Sequence, residues 1–129
     1  MRMDSYSNVA VALALSPAVQ AATIKGNTID RSGFATALLV INTGAIVGAG
    51  DYTAKLQESD TTTDGDFTDV VADDLLGTLP ASLAADQSYR QGYRSSKRYL
   101  RVVVTKNGGT SIAVGAVIIK GTPSLAPVA

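Results

Sequence analysis

The 129-residue chain contains no cysteine, no histidine and no tryptophan, and its single glutamate is Glu58. Without thiols there is no disulfide framework, no cysteine nucleophile and no zinc–thiolate centre. Without imidazole the commonest general base and metal ligand is gone as well. Net charge is also missing, because eleven Lys and Arg balance eleven Asp and Glu. Holding nucleic acid through bulk charge needs a cationic surplus or a concentrated patch. No apolar run approaches the ~20 residues of a membrane helix. The run Val9-Ala-Val-Ala-Leu-Ala-Leu15 has only Arg2 as a basic residue before it, and Asp4 offsets that charge. Its strict alternation reads as a strand with bulky side chains on one side, not as a secretory segment.

What is present is a single-domain composition, 46% apolar and 17% charged, suited to one packed core. Period-two patterns predict strands over Val9–Leu15, Val19–Ile24, Phe34–Asn42, Tyr52–Ser59, Phe67–Val71, Ser88–Tyr93, Arg98–Lys106 and Ser111–Lys120. Turn signals separate them: Lys25-Gly-Asn, Asn42-Thr-Gly, Gly48-Ala-Gly-Asp, Asp64-Gly-Asp and Asn107-Gly-Gly. The last, between two β-branched runs, predicts a hairpin. A short helix or turn is expected in Val71–Leu76 or Pro80–Asp86, where Ala and Leu gather. Seven to eight short strands at this spacing mean an all-β fold, a sandwich or a barrel. Residues 1–8 read as an extended arm. Residues 121–129, with Pro123 and Pro127, read as a tail and not a strand, since proline cannot donate to a ladder.

Charge is segregated despite the zero sum. Glu58, Asp60, Asp64, Asp66, Asp69, Asp73, Asp74 and Asp86 hold eight of the eleven acids, and Arg90, Arg94, Lys97, Arg98, Arg101 and Lys106 follow with no further acid. Two readings are open: solvated faces that pair with each other, or a bipolar surface that meets a neighbouring molecule. Asp60-Thr-Thr-Thr-Asp64-Gly65-Asp66 begins like a calcium loop, but Val71 stands where the bidentate carboxylate is obligatory. Asp64-Gly-Asp66-Phe-Thr68 matches a phosphatase nucleophile motif without the βαβ setting that chemistry needs. Glu58 would need an aspartate partner for glycosidase work. The glycines of Gly44–Gly50 lack the lysine and helix of a phosphate loop. Tyr89–Tyr99 mixes bases with aromatics as single-strand binders do, though tyrosines at strand boundaries are commonly core edges. No catalytic, cofactor or metal residue is assigned, no cofactor is implied, and the chain reads as a non-enzyme.

Certain segments nevertheless form a pattern. Lys55-Leu-Gln-Glu-Ser-Asp60 with its Asp/Gly/Thr loop and Phe67-Thr-Asp-Val70 resembles small proteins of tailed bacteriophages and prophages. So does Arg90-x-Gly-Tyr93 leading into Lys97-Arg-Tyr-Leu-Arg-Val-Val-Val104, and the closing Gly121-x-Pro…Ala-Pro-Val128. The resemblance covers roughly residues 5–128 and is to head decoration, or cement, proteins encoded beside the major capsid protein. It implies a jelly-roll-like antiparallel β-sandwich. It also implies a location on the outer capsid of a virion made in the bacterial cytoplasm, and the major capsid protein as partner. A dimer or trimer is expected on the capsid, with neither membrane nor nucleic acid bound directly. The expected contacts are Met1, Arg2 and Tyr6 in the arm and Pro123, Leu125, Pro127 and Val128 in the tail. The exposed bases Arg94, Lys97, Arg98 and Arg101 complete the set. Other virion parts (neck, tail or fibre) and a carbohydrate-binding module are the alternatives, the last weakened by the absence of tryptophan.

Overall fold

Strands with alternating side chains have one face to hide, and the computed structural model, which describes residues 6–123, stacks two such sheets. Numbered in chain order, the first sheet runs β1 (Ala10–Gln20), β10 (Ser111–Pro123), β4 (Phe34–Val47), β8 (Ser88–Tyr93), β7 (Leu75–Leu76). The second runs β2 (Ile24–Lys25), β9 (Tyr99–Gly108), β5 (Asp51–Ser59), β6 (Thr68–Asp69), with β3 (Ile29–Asp30) also on β9. All pairings are antiparallel. Taking β2 and β3 as two pieces of one edge, and β7 as an addition, leaves eight strands in two four-stranded sheets. The chain crosses between sheets at nearly every connection, which is jelly-roll topology. Leu39, Ile41, Ile112 and Ile118 of the first sheet are fully buried with Tyr52, Leu100, Val102 and Val104 of the second. Each such side chain contributes roughly 1.5–3 kcal/mol.

Several local expectations are corrected by this arrangement. Ser16-Pro17 does not break the chain into two strands. It lies inside β1, with register irregularities between Leu13 and Leu15 and between Leu15 and Ala18. β1 is an edge strand, where a missing N–H is tolerated. Val19 and Gln20 therefore belong to β1, and only Ile24–Lys25 enters the other sheet. Asn42-Thr-Gly is not a turn but a bulge: Thr43 pairs Val114 while Ile46 pairs Ile112, one residue more on β4 than on β10. The Phe67–Val71 strand shrinks to Thr68–Asp69, because 3-10 turns at Asp64–Asp66 and Ala72–Asp74 wind the chain on either side.

The Asn107-Gly-Gly segment is not a hairpin either. β9 already lies between β2/β3 and β5, and β10 between β1 and β4, so the turn carries the chain from one sheet to the other. Gly109 has φ +76, and a Cβ there would strike the Ala49 carbonyl and Gly50. The β4–β5 and β9–β10 crossings thus lie against each other, an approach only glycine permits.

Both termini differ from expectation. Tyr6–Asn8 form a 3-10 turn and not an extended arm, with Ser7 buried. The tail begins as strand, because β10 continues to Pro123 opposite Phe34. Pairing with β1 stops at Lys120, so the proline occupies an open edge.

Candidate interaction surface

β4 and β9 begin, and β5, β8 and β10 end, at the same end of the sandwich. Arg31 takes up four backbone carbonyls there, two in the β8–β9 loop and two at the start of β4. Its Nε donates to Lys97 O at 2.5 Å and its Nη2 to Ser95 O at 2.6 Å. Nη1 donates to Phe34 O at 3.3 Å and Ala35 O at 3.2 Å. The guanidinium lies 5.2 Å from the centre of the Tyr93 ring, and the residue is only 8% exposed. A planar fork with five N–H donors suits this task, where a lysine would not. Tyr93 in turn donates its hydroxyl to Glu58 Oε1 at 2.7 Å across the interior. Burial, and then that hydrogen bond, push the Tyr93 phenol up to about 12. The sole glutamate therefore serves as a buried acceptor that ties one sheet to the other.

Around this cap lie most of the described residues that are expected to make contacts. Arg98 donates Nε and Nη2 to the two Asp30 oxygens at 3.0 and 2.9 Å. Those hydrogen bonds, above all, hold the Asp30 carboxyl down to about 2. Lys97 Nζ meets Asp60 Oδ2 at 2.7 Å. Arg94 is exposed and donates Nε to Asp73 O at 3.0 Å. Lys120, three residues before Pro123, reaches Asp30 O at 3.2 Å. Tyr6, 87% exposed, precedes the point where Ala10 pairs Lys120. The structure thus brings Tyr6, Arg94, Lys97, Arg98 and the backbone of Pro123 to one end. Met1, Arg2, Leu125, Pro127 and Val128 lie outside the described residues.

Arg101 is a correction. It was expected as an exposed base at the contact surface, but its side chain is 8% exposed on the flank of the second sheet. Nη1 meets Asp64 at 2.5 Å, Nε donates to Gln57 Oε1 at 2.8 Å, and the Phe67 ring lies 4.2 Å away. The β5–β6 loop folds back over β9 because its acids find cations there. Lys25–Asp64 at 3.1 Å and Lys55–Asp69 at 3.2 Å complete the pattern. Of the two readings of the segregated charge, mutual pairing is the one the structure shows. The Asp60–Asp66 loop spends its carboxylates in the same way: Asp60 and Asp64 on cations, Asp66 on the Thr61 hydroxyl. Arg31 carries no motif and escaped the sequence reading; its only signal is a lone base just after an apolar strand residue, Ile29.

No helix among the described residues is long and apolar enough to cross a membrane. No protein-family profile matches the chain, and no curated protein matches it significantly in sequence. Among solved structures, a chain in the structure of infectious bursal disease virus Gx strain is similar over 86% of this chain, at 14% identity and a TM-score of 0.44. This chain spans 31% of that one.

Proposed function

We propose that this chain is a structural virion protein, a cement protein that binds the outer surface of a tailed-phage head and clamps neighbouring major capsid subunits. The sequence resemblance motivates the reading. The observation that supports it is the gathering at one end of the sandwich of both described chain ends and of Arg94, Lys97 and Arg98. An attachment end built on a rigid cap can hold two different capsid subunits at once, one through residues before Tyr6 and one through residues after Pro123. Because such paired sites exist only in the assembled shell, binding them stabilises the shell over its parts by mass action.

The test uses purified chain and expanded empty capsids of the phage that encodes it. Saturable, stoichiometric binding that raises the capsid disruption temperature is expected. Deleting residues 1–5 or 124–129 should weaken binding while leaving the melting point of the free protein unchanged. Absence of binding to shells, or binding confined to isolated neck, tail or fibre assemblies, would remove the cement reading. Binding to a glycan array without binding to shells would replace it with a carbohydrate module.

A further inference from the structure

The two outer faces of the sandwich differ in kind. On the second sheet the outward positions are Thr53, Lys55, Gln57 and Thr105, with the paired loop acids above them. On the first sheet they are mostly apolar, with Asn42, Ser88 and Arg90 as polar exceptions on β4 and β8. Ile112, Val114, Ala116 and Ile118 of β10 point inward, so Val117 and Ile119 point out. Register then lines up Leu13, Val117, Val40 and Arg90 in one row across β1, β10, β4 and β8. A second row carries Val11, Ile119, Leu38, Gly92 and Leu76. Val11 is 64% exposed, Leu13 48%, Val19 69% and Leu76 52%. Between the β1 ridge and β4 runs an apolar groove of about 390 Å³, floored by Ala113 and Gly115.

We infer that this face is where a second copy of the chain packs, the two sandwiches stacking sheet on sheet about a two-fold axis. The resemblance leads one to expect a homo-oligomer; the inference gives it a face and an axis, and it rests on that face and not on the capsid reading. Four strands at ~4.8 Å spacing, over about nine residues at ~3.3 Å each, span roughly 550 Å² in projection. Accessible area exceeds projected area, so the face approaches the ~800 Å² per partner of a specific interface and the upper limit of patches left bare on monomers. A two-fold axis parallel to the strands between β10 and β4 sets β4 of each copy, with Val40, over the groove floor on β10 of the other, the reciprocal contact that an isologous interface requires. Charge points the same way. Arg90 is the one formal charge among these outward positions, and it stands on β8, away from the centre. An axis parallel to the strands between β10 and β4 puts each Arg90 over the open edge of the other copy's β1. The two guanidiniums are then ~14 Å apart by strand spacing, beyond the Debye length of ~8 Å. A membrane is the poorer occupant, because among the described residues no rim of Lys or Arg surrounds the face to meet headgroups.

Sedimentation equilibrium of the full chain across a concentration series tests the inference. A reversible dimer is expected. Leu13→Asp and Val19→Asp should each weaken it at least about a hundredfold, since a carboxylate would be buried unpaired. Thr53→Asp on the opposite face should leave it unchanged. Should an aspartate variant fail to fold, a second probe remains, because the native chain has no cysteine. Val40→Cys should cross-link to a covalent dimer with a short bifunctional maleimide, since the two Cα atoms lie roughly 11 Å apart across stacked sheets and beyond disulfide reach, while Thr53→Cys should not. A monomer at about 100 μM, an oligomer indifferent to these substitutions, or a monomer that loses capsid binding through Leu13→Asp would each overturn the second-copy assignment. The last of these would leave the cement reading standing, whereas a dimer that ignores capsids would remove the cement reading alone.

Discussion

Replacing Arg31 with methionine keeps the length of the side chain but removes every donor from the end cap. Four carbonyls from two segments then lose their partner: Ser95 and Lys97 in the β8–β9 loop, and Phe34 and Ala35 at the start of β4. A hydrogen bond to a charged group contributes about 1.5–3 kcal/mol, and the two bonds at 2.5 and 2.6 Å are the ones to count in full. The bonds at 3.2 and 3.3 Å add less. Against these stands the cost of burying a guanidinium, which the methionine variant no longer bears. The net loss is about 3 kcal/mol, at the upper end of ordinary point substitutions. For a chain of this length each kcal/mol moves the melting point by roughly 4 °C, so a fall of ~12 °C is expected in thermal unfolding followed by circular dichroism. Arg31→Lys should restore only part of it, since one ammonium cannot span carbonyls on opposite sides of the cap. The contrast that decides the matter is Arg98→Met. Arg98 makes a bidentate pair with Asp30, but it is exposed, so water replaces the pair and the melting point should stay near that of the parent. Equal effects of the two substitutions would refute the claim that burial and carbonyl capping set the importance of Arg31.

The Tyr93 phenol titrates near 12 in the folded chain against 10.0 when free, so between those pH values the unfolded state gives up a proton that the folded state keeps. Stability therefore falls as pH rises from about 10 to 12, and Tyr93→Phe should flatten that part of the urea-unfolding profile relative to the parent. For Asp30 the sign is opposite: its stabilising pair is present above the free value of 3.8 and is lost as pH falls towards about 2. Carbon-detected NMR should find the Asp30 carboxyl moved back towards 3.8 in Arg98→Gln. Gly109→Ala should cost about 2–4 kcal/mol, the left-handed φ and the collision with the Ala49 carbonyl acting together. A loss below about 1 kcal/mol would mean the two crossings can part without harm.

Most strands were legible because alternation is a local signal and each sheet has a face to bury. Ser88–Tyr93 matches its expected bounds, and Phe34–Asn42 and Ser111–Lys120 fall inside longer strands. What failed was punctuation. Pro17, Gly44 and Gly109 all signal a change of direction, yet they serve three different ends: an irregular edge strand, a bulge and a passage between sheets. Which of these a residue serves depends on whether a neighbouring strand occupies the adjacent edge, and a single sequence does not carry that information locally. Asn107-Gly-Gly shows it best: hairpin chemistry is present, but both flanking strands already have neighbours on each side.

The same gap between local pattern and tertiary pairing explains the surface. Segregated acids and bases leave two readings open in the sequence, pairing with each other or meeting another molecule. Antiparallel pairing of β5 with β9, however, lays the basic strand beside the loop that follows the acidic one. Arg101 and Asp64, 37 positions apart in sequence, come together for that reason. Pairing within the chain takes up Asp60, Asp64 and Asp69 of the acidic stretch and Lys97 and Arg101 of the basic one, so the segregation in sequence is not a measure of charge free to meet partners. The apolar outer face was written in the sequence as well. Val11, Leu13, Val117 and Ile119 alternate as regularly as the buried residues between them, so a strand buried on both sides and a strand buried on one have the same pattern here. Telling them apart required knowing that β1 and β10 sit in an outer layer of a two-sheet stack, with none of the described residues covering them. A jelly roll that leaves one sheet face mostly apolar offers the surface on which the proposed second copy would pack, and the end cap lies where the described chain begins and ends.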